Sequence, residues 1–200
     1  MAGKNLTELL SEQIVLGDGA MGTMLYQEGV FINTCFDELN LKAPSLVKDI
    51  HQRYIEAGCD FIETNTFGAN EVRLAGFGLA DKLEEINGQS ATIAKEAAGD
   101  EVLVGGAIGP IGREITAHSQ IRPEEASSIF ERQGLALAKA GVDFFILETF
   151  SQRDELLAAI RGVRRAADIP IIAQLTINEE GQTPYGENIE HAIEIIASEP

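Results

Sequence analysis

The chain has little cysteine, little positive charge, few aromatics and no long apolar run. Two cysteines, Cys35 and Cys59, are too few and too far apart for a disulfide framework, and no Cys-x-x-Cys pair occurs. Fifteen Lys and Arg against 32 Asp and Glu leave a formal net charge of −17. A nucleic-acid backbone or an anionic membrane surface would repel such a chain, so neither is expected as a partner. The acids are spread rather than blocked, which is the habit of a solvated acidic surface. No stretch approaches the roughly 20 apolar residues of a membrane span. The opening MAGKNLTELLSEQ lacks the apolar core of a signal peptide. Together these features point to a reducing cytoplasm.

Among the 200 residues, 44% are hydrophobic, enough for one ordinary core. No Pro/Gly-rich linker divides them, so one domain is expected. Short apolar runs at residues 14–16, 61–63, 102–105, 144–147 and 171–175 alternate with stretches of helical period. Pro44 starts one helix, which carries Leu46, Val47, Ile50, Tyr54 and Ile55 inward and ends at Gly58. Pro123, followed by Glu124 and Glu125, opens another that Gly141 stops. Ser151 is placed to cap the next, and a last helix begins near Asn188. The phrases Ala57-Gly58-Cys59-Asp60-Phe61 and Ala140-Gly141-Val142-Asp143-Phe144 echo each other, and both following strands end in acid-Thr, Glu63-Thr64 and Glu148-Thr149.

Strands that are apolar throughout suit a parallel sheet buried on both faces. Five strand–helix units make either an open doubly wound sheet or part of a barrel. Gly17-Asp18-Gly19-Ala20-Met21-Gly22 is only loosely a phosphate-binding fingerprint, and no helix of clear period follows it, since residues 26–40 are irregular. The expected fold class is therefore α/β, a (β/α)8 TIM barrel of which this chain supplies about the first five βα units. A closed barrel takes about 250 residues, so residues 1–200 are expected to be an N-terminal portion, apparently truncated. The unpaired edges of an incomplete barrel are a dimerisation or aggregation hazard.

Barrel enzymes place their chemistry at strand C-termini and the following loops. Those positions are Asp18, residues 63–67, Gly109 to Gly112, Glu148 with Thr149, and Thr176 with Asn178. Asp18 and Glu148 stand out. Two carboxylates at a barrel mouth hold an ammonium group, act as acid and base, or bind a metal through oxygen. Equally, Asp18 caps its turn and Glu148 pairs with an arginine. Residues 64–70 either donate to a substrate carboxylate or cap the next helix, and residues 105–112 let a backbone approach a ligand closely. His51 and His191 fall within helices, while His118 lies in a long loop. No zinc-ligand spacing, nucleophile elbow or P-loop is present.

Taken together, these motifs resemble the homocysteine S-methyltransferase family. The resemblance rests on Asp18-Gly19-Ala20-Met21-Gly22-Thr23, Asn40-Leu41 through Pro44, His51 and Tyr54, and Ala57-Gly58. It continues through Glu63-Thr64-Asn65-Thr66-Phe67-Gly68-Ala69, Gly105 to Gly112, Gly141-Val142-Asp143 and Glu148-Thr149-Phe150. The Glu-Thr-Asn-Thr-Phe phrase is most similar to the branch linked to methyltetrahydrofolate, either cobalamin-dependent methionine synthase or the bifunctional protein with a methylenetetrahydrofolate reductase module. The resemblance implies methyl transfer to the thiol of L-homocysteine to give methionine. It also implies that Asp18, Gly19, Thr66 and Glu148, with Asn65 beside them, hold the amino-acid end of the substrate, the two carboxylates taking the ammonium.

Zinc is implied as cofactor, held by three cysteine thiolates from a Gly-x-Asn-Cys and a Gly-Gly-Cys-Cys phrase. Neither phrase occurs here, and Cys35 and Cys59 match neither. The zinc ligands are accordingly expected beyond residue 200, and the chain alone is expected to be inactive. The resemblance admits methylcobalamin, S-methylmethionine, betaine or a folate as donor; methylcobalamin or methyltetrahydrofolate is the expected one, with a following folate or reductase module as partner. Two alternatives stand beside this reading. One is a natural half-barrel serving as a small-molecule-binding or assembly module without catalysis. The other is a barrel enzyme using Asp18 and Glu148 as acid and base.

Overall fold

A computed structural model describes residues 5–113, 115 and 121–199. His118 lies outside them. Four strands, β1 (Phe61–Glu63), β2 (Leu103–Ile108), β3 (Phe144–Phe150) and β4 (Ile171–Leu175), form one parallel sheet in sequence order. The helices are α1 (Leu6–Glu12), α2 (Met21–Gln27), α3 (Leu39–Lys42), α4 (Pro44–Glu56), α5 (Glu71–Ala75), α6 (Leu83–Ala98), α7 (Pro123–Lys139), α8 (Arg153–Ala166) and α9 (Ile189–Ala197).

Alternation along the strands divides the side chains between two faces. Ile62, Val104, Phe145 and Leu147 face one layer with Ala91 and Ala94 of α6, Phe130 and Leu137 of α7, and Ile160 and Val163 of α8. Phe61, Ala107, Phe144 and Ile146 face the other way, where Leu6 of α1 joins them. The large helices thus cover one face only. A doubly wound sheet carries helices on both, so this arrangement is the barrel type.

The inner layer is built by matching sizes on neighbouring strands. Gly17 pairs with Phe61, and Gly105 with Phe144. A Cβ on Gly17 would stand 2.5 Å from the Phe61 ring, and one on Gly105 2.7 Å from the Phe144 ring. The two rings meet edge to face at 5.3 Å. Glycine on one strand makes room for phenylalanine on the next.

The echoed phrases prove to be one structural device used twice. Gly58 and Gly141 follow α4 and α7 with φ of +97° and +88°. The Asp after each then stitches its strand to the preceding one. Asp60 Oδ2 accepts the Leu16 amide at 2.8 Å, and Asp143 Oδ2 accepts the Val104 amide at 2.7 Å.

Several expectations need correction. The first apolar run is no ladder strand: its pairing is a single bridge, Gly17 to Phe61, and Ile14 is 96% exposed. Its apolar residues meet too little of the core to be buried. β4 is half-buried to exposed rather than buried on both faces. The segment after Gly17 does enter a helix, α2, which is too short to show a period in sequence. Ser151 is not the cap of α8, because the helix starts one residue later and Gln152 occupies that place. α1 lies outside the expected strand–helix alternation, although Asn5 and Glu8 form a capping box on it. His51 is fully buried with both ring nitrogens unpartnered, and burial pushes its pKa down to about 4, so it acts as a neutral core residue; His191 is exposed.

Candidate functional site

A cavity of about 610 Å³ opens at the C-terminal ends of β1 and β3. All five residues expected to hold substrate, Asp18, Gly19, Asn65, Thr66 and Glu148, line it. They do so in different capacities.

Asp18 follows the Gly17 bridge. Its own amide donates to the Phe61 carbonyl at 3.1 Å, and its Oδ2 accepts the Glu63 amide at 3.0 Å. Burial raises its pKa from 3.8 to about 7, the Glu63 amide working against this and the Glu148 charge adding to it. Gly19 lies against α4, where a Cβ would be 2.9 Å from the Tyr54 hydroxyl. That hydroxyl donates to the Ala20 carbonyl at 3.4 Å.

Glu148 follows Phe144 and Ile146 on the inner face of β3, just before an irregularity. The pairing of β3 with β4 shifts register between Leu147 and Phe150. Within the shift, Thr149 adopts φ of +63°, the sole non-glycine among the described residues at positive φ. A β-branched residue resists that conformation, so the surrounding fold must hold it there. The shift lets Phe150 face the helices while Glu148 and Thr149 line the cavity, and the Thr149 hydroxyl donates to Glu148 Oε2 at 3.4 Å.

A third carboxylate, Glu63 at the end of β1, completes the cluster. Its side chain lines the cavity together with those of Asp18 and Glu148. Burial first, then the charges of Glu148 and Asp18, hold Glu63 far above the ordinary carboxylate range. Burial also raises Glu148, with the Thr149 hydrogen bond opposing. Glu63 falls among the strand-end positions expected to carry chemistry but outside the set expected to hold substrate, and the acid-Thr ending it shares with Glu148 is the signal that pairs them.

Asn65 and Thr66 are tied into the cavity wall. The Thr66 hydroxyl donates to the Ala107 carbonyl at 2.7 Å. The Thr64 hydroxyl, 2.6 Å from it, accepts the Ala107 amide at 3.0 Å. Asn65 Nδ2 donates to the Phe36 carbonyl at 2.8 Å, and Asn40 Nδ2 returns a bond to the Asn65 carbonyl at 2.8 Å. These bonds fasten the loop before α3 over the end of β1. Asn70 caps α5 through the Arg73 amide. The glycine-rich stretch makes room for side chains: a Cβ on Gly109 would lie 2.4 Å from the Phe67 ring.

The far wall has a different character. Asp37 accepts the Gly68 amide at 2.9 Å, and burial raises its pKa to about 6. Arg73 donates from Nε to the Pro110 carbonyl at 2.9 Å and lies 5.2 Å over the Phe67 ring. Cys35, Phe36 and Phe77 complete this side. No local pattern in residues 28–38 marked them.

The zinc implied by the sequence finds no thiolate site here. Burial holds the thiols of Cys35 and Cys59 up at about 11, against the thiolate that zinc requires. Cys59 also precedes β1, at the opposite end of the strand from the cavity. Among the described residues, no group of three His, Cys, Asp or Glu is arranged to hold a metal ion. No helix of the described residues is long and apolar enough to cross a membrane.

These features define a barrel-type α/β fold with an acidic cavity at its strand ends, and the sequence comparisons identify its lineage: a model of the homocysteine S-methyltransferase family matches residues 15–200, and the chain belongs to that family. Methionine synthases of Mycobacterium leprae (strain TN) and Mycobacterium tuberculosis (strain ATCC 25618 / H37Rv) are each 30% identical over 207 residues, covering 94% of this chain. The chain spans about 17% of the length of these curated relatives. Among solved structures, the homocysteine methyltransferase MmuM from Escherichia coli matches with a TM-score of 0.82 in its oxidized form and 0.80 in its metallated form. Identity is 23% in both cases, over 96% of this chain and 73% of MmuM. At that identity the likeness establishes the fold.

Proposed function

We propose that residues 1–200 supply the first units of a homocysteine-binding barrel, and that its cavity holds the amino-acid end of L-homocysteine for methyl transfer to the thiol, giving methionine. One observation carries this reading. Three carboxylates, Asp18, Glu63 and Glu148, converge on one cavity, and none forms an ion pair among the described residues. A cluster of that kind is complementary to a cation. An ammonium brings three donors to three acceptors, in charge-assisted bonds stronger than neutral ones.

Within this reading Asp18 and Glu148 take the ammonium, Gly19 lets the chain pass close to Tyr54, and Asn65 and Thr66 hold the wall in place. The zinc expected for the family is not supplied by the described residues of this chain, and no step is assigned to it. The methyl donor, methylcobalamin or methyltetrahydrofolate, and a following folate or reductase module belong to the same proposal and rest on the sequence motifs. A cytoplasmic setting, expected from the composition, belongs to the same proposal.

The test is calorimetry with L-homocysteine and N-acetyl-homocysteine, which lacks the ammonium. The free amino acid binds and the acetylated form does not. Glu148→Gln weakens binding by about tenfold to a hundredfold, since a charge-assisted bond is worth about 1.5–3 kcal/mol. Equal affinity for the two ligands would overturn the ammonium reading.

A further inference from the structure

Glu63 and Glu148 come from strands that are not neighbours. β2 runs between β1 and β3, and its inward positions are Gly105 and Ala107, too small to stand between two carboxyl groups. Alternation along β3 puts Glu148 on the same face as Phe144 and Ile146, and the Glu63 and Glu148 carboxyl groups line one cavity together with Asp18. Two carboxyl groups that face each other can bond only through a proton, because two ionised carboxylates have acceptors only.

We propose that Glu63 and Glu148 hold one proton between them in the free site, and that the substrate ammonium displaces it, so that Glu63 is a specificity-determining member of the cradle and amino-acid binding releases a proton. This rests on the reading of the cavity as an ammonium site. The charges balance: one cation, the ammonium, takes the place of another, the proton, which passes to solvent.

The surroundings favour the exchange. Asp18 reaches the pair from the segment before α2, and its carboxylate raises Glu63 further. Tyr54 of α4 is itself raised, by burial and then by Asp18, and stays a neutral phenol. Thr149 donates its hydroxyl to Glu148. Asp37 and Arg73 occupy the opposite wall. No cationic side chain of the described residues pairs with the three carboxylates, so in the free site a proton is the available counter-charge. A neutral ligand of similar shape leaves the proton in place and gains no such exchange, which gives the site a basis for selecting ammonium compounds.

Two measurements test the proposal. Carbon-detected NMR of the glutamate carboxyl groups, on the chain without ligand, shows one proton retained at neutral pH. That signature disappears in Glu63→Gln. If every glutamate of the free wild-type chain titrates in the ordinary carboxylate range, the shared proton is refuted, whatever the variants do. Calorimetry of L-homocysteine in two buffers of different ionisation enthalpy then reads the protons exchanged. Wild type releases about one proton per amino acid bound near neutral pH, Glu63→Gln releases little, and Glu63→Asp restores the release. Binding without release overturns this inference and leaves the ammonium reading intact. Failure of L-homocysteine to bind overturns the ammonium reading, while the free-chain NMR still decides the proton.

Discussion

Replacing Asp18 by Asn should make the protein more stable, and increasingly so as pH rises. The folded chain gives up the Asp18 proton near pH 7, whereas an unfolded chain gives it up near 3.8. Between those values the folded state binds more protons. Wild-type stability from this group is therefore full below about pH 4 and is lost as pH climbs through 7. The shift is roughly three units, and at about 1.4 kcal/mol each this sets a ceiling of about 4 kcal/mol. Asp18 is partly exposed, so solvent screens some of this, and about 2 kcal/mol is the expected gain. Asn retains an oxygen to accept the Glu63 amide, so the backbone bond at 3.0 Å survives. Removing the charge also relieves Glu63, which acts in the same direction. Urea unfolding of both proteins at about pH 4.5 and about pH 8 reads the effect. The Asn variant should gain most of its advantage between the two. Stability curves that run parallel across that interval would show that Asp18 is not buried against its charge, and the electrostatic account of the cavity would fail with it.

Thr149→Gly should relieve the left-handed strain at the bulge, worth about 1–3 kcal/mol, against about 0.5–1 kcal/mol for the greater freedom of glycine in the unfolded chain. A net gain of about 1 kcal/mol in thermal melts is expected, together with weaker L-homocysteine binding as Glu148 loses its fixed position; destabilisation would show that Thr149 is not strained. Gly162→Ala should destabilise, because the new Cβ would stand 2.4 Å from the Ser127 carbonyl and 2.9 Å from the Glu131 amide on α7. Backbone cannot step aside, so an overpacking cost of about 1–3 kcal/mol outweighs the roughly 1 kcal/mol that alanine adds to a helix. An unchanged urea midpoint would mean that α7 and α8 are less tightly apposed.

What the sequence determined by itself is whatever local chemistry encodes. Apolar runs marked β1 to β4, and prolines at positions 44 and 123 with glycines at 58 and 141 marked where α4 and α7 begin and end, because dihedral preference acts on single residues. The repeated Gly-x-Asp phrase announced the Asp60 and Asp143 stitches for the same reason. Rules of barrel architecture then placed the site at strand ends, and family motifs singled out residues that do line one cavity. The tertiary structure decided the rest. Thr66 is a wall residue because its hydroxyl finds Ala107, 41 positions away. Glu63 joins Asp18 and Glu148 only because Gly105 and Ala107 leave space across β2 and the pairing of three strands brings their ends to one cavity. The loop carrying Cys35 and Asp37 reaches the cavity only because Asn40 and Asn65 bind it there. A protonation state shared between carboxyls is a property of the distance between them, and that distance is set by the register and bulges of three strands.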